Sequence, residues 1–126
     1  MRSTHLGSVL LLAVTVAGAE FVDQSKSAKR TYEADVAPIV GRLCNPCHLA
    51  ESENPSGLRL DTFETMIAGG EKGKPIVAGK PDESILYLKL QEDPPFGKQM
   101  PRGKKKITKE EIRVIREWIE QGALKK

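Results

Sequence analysis

The run Cys44-Asn45-Pro46-Cys47-His48 constrains this chain more than any other feature, and it holds both of the cysteines. Two thiols three positions apart can add to the two vinyl groups of one porphyrin, and the imidazole that follows can bind the iron. One short segment would then fix a large apolar group and supply an axial ligand. The spacing predicts one haem c, bound covalently through Cys44 and Cys47, with His48 as an iron ligand.

Two other uses of the paired cysteines stay open at this point. A structural disulfide or thiol redox pair is one, because a proline such as Pro46 before the second cysteine is typical of thioredoxin-like sites. That motif needs a βαβ context, which the sequence does not show. A zinc site is the other, but two cysteines and one mature histidine do not complete the usual four ligands without carboxylates. Haem attachment is therefore the favoured interpretation.

The first 19 residues have the pattern of an export signal. Arg2 gives a positive start, residues 6–16 are almost wholly apolar, and Ala17-Gly18-Ala19 is an A-x-A cleavage site. An uncleaved membrane anchor is the competing interpretation, but this apolar stretch is shorter than the roughly 20 residues that a span requires. We therefore predict a signal peptide over 1–19 that is cleaved near Ala19, a periplasmic or secreted protein, and no transmembrane span in the mature chain.

The composition indicates one small domain with few large apolar residues to form its core. Aromatic residues make up 5% of the 126-residue chain and charged residues 29%. A buried haem would supply much of the missing apolar interior, so we expect the apoprotein to be poorly folded. The formal net charge of +3 is too close to zero to indicate nucleic-acid binding. We expect a flexible lead-in over 20–30 and a single domain over 31–126.

Apolar periodicity predicts two helices in the first half of this domain. Asp35 is the expected N-cap of a helix that ends at Leu43 and delivers Cys44. Asp61 is the expected N-cap of a second helix over 62–68, which Gly69 and the glycine after it would end.

The second half is predicted to be helical as well. A third helix is expected over 84–91, followed by an irregular loop over 94–106 that is rich in proline and glycine. The last helix is the best marked, because Thr108 and Glu111 form a capping box and Gly122 lies where the helix should end. No alternating strand pattern of useful length is present, so the expected fold is all-α.

The second axial ligand follows from elimination. His5 belongs to the predicted signal peptide, which excludes ligation by two histidines within one mature subunit. Met66 lies inside a predicted helix, where packing is its expected role. Met100 lies in the irregular loop, which can lay its sulfur across the haem face, and we predict it as the second ligand. The alternative is an open sixth position, or one filled by a lysine such as Lys98; an open position would permit ligand binding or peroxide chemistry.

Basic residues surround Met100 in the sequence. They are Lys98, Arg102, Lys104, Lys105 and Lys106. If this loop borders an exposed haem edge, these charges would steer an acidic redox partner towards it. An ordinary solvated loop is the alternative, and the sequence does not decide between them.

An ordered set of short matches extends from residue 32 to residue 123, nearly the whole mature chain. It comprises Asp35-Val36, Pro38-Ile39, the Cys44 to His48 run, Gly57-Leu58, Leu60-Asp61, Gly69-Gly70, Ile76-Val77, Gly79-Lys80-Pro81, Ser84, Met100-Pro101, Trp118-Ile119 and Gly122-Ala123. With these residues the chain resembles the planctomycete-type cytochrome c domain, which has the class I cytochrome c fold. The sequence departs from the family pattern at Leu49, where a glycine is usual, and at Ala78, where a proline is frequent.

The resemblance implies a small all-α domain wrapped around one covalent haem, with iron ligation by His48 and Met100. It also implies that the helix of Trp118 packs across the helix before Cys44. Such domains commonly stand at the front of much longer chains, whereas this sequence ends at Lys126. We therefore expect its redox partners to be separate proteins.

The favoured function is that of an exported mono-haem cytochrome c that carries electrons and is not an enzyme. A thioether opposite histidine stabilises ferrous iron, and six-coordinate iron leaves no place for a substrate. The remaining nitrogen of His48 is expected to donate to a backbone carbonyl within residues 49–57. Two alternatives stay open: a haem enzyme or a gas or peroxide sensor with an open sixth site, and a haem-free thiol oxidoreductase.

Overall fold

The computed structural model describes residues 28–126. The predicted signal peptide and its cleavage site lie outside this part, as does the lead-in up to residue 27. The helical elements within it are a π-helical turn Tyr32–Val36, α1 Ala37–Leu43, α2 Phe63–Ala68, a 3₁₀ turn Pro81–Glu83, α3 Ile85–Leu88 and α4 Lys109–Glu120. Among these residues there is no β-strand, only an isolated bridge between Gly70 and Gly73. The prediction of helical secondary structure is thus confirmed for residues 28–126.

The first helical segment starts four residues earlier than predicted, and Asp35 is not its N-cap. Thr31 is the cap, and its hydroxyl accepts a hydrogen bond from the backbone N–H of Ala34 at 3.3 Å. The carboxylate of Asp35 instead accepts from the backbone N–H of Thr31 at 2.8 Å and from the guanidinium of Arg30 at 2.9 Å. The added turn buries Tyr32 in the core. Burial of this ring, a tertiary effect, extends the segment beyond what local propensity indicates.

The N-cap of α2 is Thr62 rather than Asp61. The hydroxyl of Thr62 accepts from the backbone N–H of Thr65, and the hydroxyl of Thr65 accepts from the backbone N–H of Thr62, both at 3.1 Å. Asp61 accepts from the Thr65 hydroxyl from outside the helix. The helix ends at Gly69 as predicted, with a φ of 83°.

The third helix is shorter than the predicted span of 84–91. It covers Ile85–Leu88, and the chain then turns at Lys89, whose carbonyl accepts from the backbone N–H of Met100 at 2.7 Å. This hydrogen bond satisfies the Lys89 carbonyl, which in a longer helix would have accepted from a backbone N–H of the same helix. This early end brings the 94–106 loop back towards α3.

Helix α4 closes the core and is as predicted. The capping box of Thr108 and Glu111 is present, and Gly122 follows the C-cap with a φ of 100°. Trp118 is fully buried, and its ring centroid lies 6.1 Å from that of Tyr32. α4 thus packs against the first turn of the segment that leads to Cys44, which agrees with the helix packing implied by the resemblance. No helix found between residues 28 and 126 has the length and apolar character to cross a membrane.

Candidate functional site

The cysteine motif forms a tight turn at the end of α1. The backbone N–H of Cys44 still donates to Val40 O, and the N–H groups of Cys47 and His48 both donate to Cys44 O at 3.0 Å. This turn gathers the two thiols and the imidazole within one short backbone segment. Cys44 is half-buried and Cys47 is exposed, and both are free thiols. The prediction that these three side chains act together is therefore compatible with their placement.

The environment of Cys44 differs from that of a redox-active thiol. Burial raises the pKa of Cys44 to about 11, and the neighbouring Cys47 contributes in the same direction. A thiol oxidoreductase needs the opposite, a lowered pKa that yields a nucleophilic thiolate. The environment of Cys44 therefore does not favour this residue as the nucleophile of a haem-free thiol oxidoreductase.

The imidazole of His48 is held by a backbone carbonyl. Its Nδ1 lies 2.9 Å from the carbonyl oxygen of Leu58. A carbonyl only accepts, so Nδ1 carries the proton and Nε2 is left as the nitrogen able to bind a metal. The predicted acceptor range of 49–57 was wrong by one residue. The backbone N–H of Leu60 donates to His48 O at 2.8 Å, and this bond aligns the two segments so that Leu58 is the carbonyl within reach.

Asn54 is a part of this site that the sequence analysis missed. Its Nδ2 donates to the same Leu58 carbonyl and lies 3.3 Å from Nδ1 of His48. Its Oδ1 accepts from the backbone N–H of Ser56 at 3.2 Å and from the Ser56 hydroxyl at 2.7 Å. In the sequence this asparagine is one polar residue in a turn-rich stretch, and no pattern separates it from its neighbours.

The Leu58 carbonyl is itself fixed by a close backbone approach. A Cβ atom on Gly70 would lie 2.5 Å from Ser56 O and 2.7 Å from Leu58 N. The backbone N–H of Glu71 also donates to Ser56 O at 2.9 Å. Only a glycine allows these two segments to approach so closely. The turn after α2 therefore supports the acceptor of His48.

The two methionines within residues 28–126 have different environments. Met66 is fully buried in the core, which confirms its expected packing role. Met100 is half-buried in the irregular loop and is tied to the turn after α3 through its backbone N–H. Of these two methionines, Met66 lies within helix α2, whereas Met100 lies in a loop outside the helices.

A single lysine organises the loop before Met100. The ammonium of Lys89 donates to the backbone carbonyls of Phe96 and Lys98 and lies 4.7 Å from the Phe96 ring centroid. The side chain of Gln99 donates to Leu90 O at 2.9 Å. The segment from 96 to 100 is thus attached to α3 and the turn after it at several points, a role of Lys89 that the sequence did not indicate.

The residues of the site fit a haem c. Two unbridged thiols stand three positions apart, and the adjacent His48 has its Nε2 free to bind iron because Nδ1 is already engaged. The donor set of thiols, imidazole and a thioether at Met100 is the one that haem attachment and ligation require. Within residues 28–126 no group of three or more His, Cys, Asp or Glu side chains is placed to hold a metal ion, so the zinc interpretation has no ligand set there.

The basic residues around Met100 are exposed, and none of them forms an ion pair within residues 28–126. They are Lys98, Arg102, Lys104, Lys105 and Lys106. By contrast, many basic residues elsewhere in the described part pair with a carboxylate: Arg30, Arg42, Arg59, Lys80, Arg113, Arg116 and Lys125. Phe96, an exposed aromatic residue, lies in the same loop, with the ammonium of Lys72 6.0 Å from its ring centroid.

Comparison with known protein families gives one finding. The family model described as Planctomycete cytochrome C matches residues 44–102. The matched segment starts at the first cysteine of the motif and ends just after Met100, so it includes all four residues predicted for the site. Neither the curated proteins nor the solved structures gave a match.

Proposed function

Because the family model described as Planctomycete cytochrome C matches residues 44–102, we propose that this chain is an exported mono-haem cytochrome that carries single electrons between separate redox proteins. One haem c is attached through Cys44 and Cys47, and its iron is bound by His48 and Met100. When bound, this group supplies a one-electron couple between ferric and ferrous iron. The protein acts as a carrier and not as an enzyme, in the periplasm or outside the cell.

The observation that carries the proposal is the hydrogen bond from His48 Nδ1 to Leu58 O at 2.9 Å. A metal-binding imidazole usually donates its second N–H to a carbonyl or carboxylate, which fixes the ring and raises the basicity of the other nitrogen. In this chain the acceptor is the backbone carbonyl of Leu58, whose segment packs closely against Gly70. The ring is therefore oriented before any metal is bound, next to two thiols with the spacing of haem attachment.

The anchoring of the Met100 loop supports an electron carrier over a haem enzyme or sensor. Lys89 and Gln99 attach the loop to α3 and the turn after it, and the backbone N–H of Met100 bonds to Lys89 O. A loop held in this way keeps its thioether in place, so that the sixth position stays filled in both oxidation states. Little then has to move when an electron is transferred.

Covalent attachment is tested by the intact mass of protein made in a host with c-type haem maturation. We expect the wild-type chain to carry the mass of one haem, and to keep it after extraction with acidic acetone. The double variant Cys44→Ser, Cys47→Ser cannot form thioethers, so its chain should show the unmodified mass after the same extraction. A wild-type chain that loses its haem to the solvent, or a double variant that keeps it, would refute attachment through these thiols.

We further propose that the loop over 94–106, which carries the exposed basic residues around Met100, docks an acidic redox partner. A triple change of Lys104, Lys105 and Lys106 to Gln should slow electron transfer to the anionic probe ferricyanide by roughly tenfold at low ionic strength. In about 1 M salt the Debye length is about 3 Å, so the difference should disappear. The reduction potential should stay unchanged throughout.

The matched control removes three positive charges elsewhere. Lys80, Arg113 and Lys125 are each paired with a carboxylate and are changed to Gln together. This triple variant should react at nearly the wild-type rate. Equal slowing by the two triple variants would show that only net charge matters and would exclude a local docking surface.

A further inference from the structure

The geometry points to Asn54 as a positioning residue that raises the reduction potential by competing with His48 for the Leu58 carbonyl. The inference rests on the proposed function, because it concerns the ligand strength of His48 towards the iron. It assigns a role to a side chain outside the cysteine motif that does not itself bind the metal.

Two donors converge on one acceptor at this point. Nδ1 of His48 lies 2.9 Å from Leu58 O, and Nδ2 of Asn54 donates to the same oxygen. The two nitrogens are 3.3 Å apart. A carbonyl oxygen has two lone pairs, so the pair of donors uses its whole accepting capacity. Each donor then receives less electron density than it would as the sole partner.

The amide of Asn54 is oriented by its other end. Its Oδ1 accepts from both the backbone N–H and the hydroxyl of Ser56. Reversing the amide would place its –NH₂ group against the backbone N–H of Ser56 and its oxygen against the Leu58 carbonyl. The network therefore assigns the –NH₂ group to the His48 side.

The direction of the effect follows from the chemistry of the imidazole. A stronger bond from Nδ1–H to its acceptor makes the ring more electron-rich, which favours ferric over ferrous iron and lowers the potential. Asn54 weakens that bond by sharing the acceptor. Its –NH₂ group is also the positive end of a dipole directed at the His48 ring, and a positive end there disfavours the ferric state. Both effects raise the potential.

The experiment compares the midpoint potentials of the wild-type haem-loaded protein with those of Asn54→Leu and Asn54→Asp. Leu keeps the side-chain size but removes the donor. We expect it to favour ferric iron by up to about tenfold, a fall of up to about 59 mV for a one-electron couple. Asp keeps an acceptor for Ser56 and places a negative oxygen beside Nδ1, so its potential should fall further.

A second readout separates tuning from loss of structure. In the reduced protein, the NMR resonance of the His48 Nδ1–H proton should move downfield in Asn54→Leu, because the bond to Leu58 O is no longer shared. The control is Ser52→Ala, which removes bonds to the carbonyls of Cys47 and Leu49 in the same loop without touching Leu58 O. It should leave both the potential and this resonance in place.

The outcomes also distinguish this inference from the proposed function. A wild-type chain without covalent haem would refute the function itself. Normal haem attachment and His48/Met100 ligation, with a potential unchanged or raised in Asn54→Leu and Asn54→Asp, would overturn the role of Asn54 alone. An equal fall in Ser52→Ala would do the same, since it would attribute the effect to a loosened loop. If Asn54→Leu does not fold, the midpoint potential of the near-isosteric Asn54→Asp serves as the test of the role of Asn54.

Discussion

We expect Met100→Leu to abolish the methionine-to-iron charge-transfer band of the oxidised protein and to lower the reduction potential by an amount on the order of 0.1 V. The thioether is a soft ligand that stabilises ferrous iron, and leucine has no donor to replace it. The change keeps the side-chain volume nearly constant, so the fold should be retained. Oxidised and reduced absorption spectra with a potentiometric titration measure both effects.

Met66→Leu is the matched control, because it makes the same chemical change at the other methionine within residues 28–126. Met66 is fully buried in the core, and a swap of similar volume there should cost less than about 1.5 kcal/mol of stability. The charge-transfer band and the potential should be unaffected. A band that persists in Met100→Leu, or that vanishes in Met66→Leu, would show that Met100 is not the ligand.

Gly70→Ala should lower the free energy of unfolding of the haem-loaded protein by about 3 kcal/mol, the upper part of the range for overpacking. A Cβ at this position would meet Ser56 O at 2.5 Å and Leu58 N at 2.7 Å. Both contacts are with backbone atoms, so no side chain can rotate away to relieve them. The displaced segment carries the acceptor of His48, and denaturant unfolding measures the loss.

Gly41→Ala is the control for this change. Gly41 lies within α1, and a Cβ there would meet nothing within 4 Å. Neither Gly41 nor Gly70 has a positive φ, so backbone strain does not separate them. Alanine at residue 41 should stabilise the helix by up to about 1 kcal/mol. Similar effects at the two positions would contradict the close approach of the 56–58 segment to Gly70.

The sequence predicted best those features whose signals are local. The capping box of Thr108 and Glu111, the end of α2 at Gly69 and the end of α1 at Leu43, just before Cys44, each depend on residues within a few positions of one another. The choice between Met66 and Met100 also rested on local context, and burial supports the packing role given to Met66.

The features that the sequence missed depend on contacts between distant segments. Thr31 replaces Asp35 as the cap because the burial of Tyr32 extends the helical segment. α3 ends early because Lys89 O accepts from Met100. The convergence of His48 and Asn54 on one carbonyl depends on how two loop segments align, which no periodicity encodes.

We propose that Cys44, Cys47, His48 and Met100 hold one haem and that the protein works as a one-electron carrier. The most direct test is a spectroscopic redox titration of the wild-type protein, after acid-acetone extraction of a parallel sample has shown that its haem is covalent. We expect a single reversible one-electron transition with low-spin, six-coordinate spectra in both oxidation states. High-spin, five-coordinate ferrous iron, or a protein without bound haem, would contradict it.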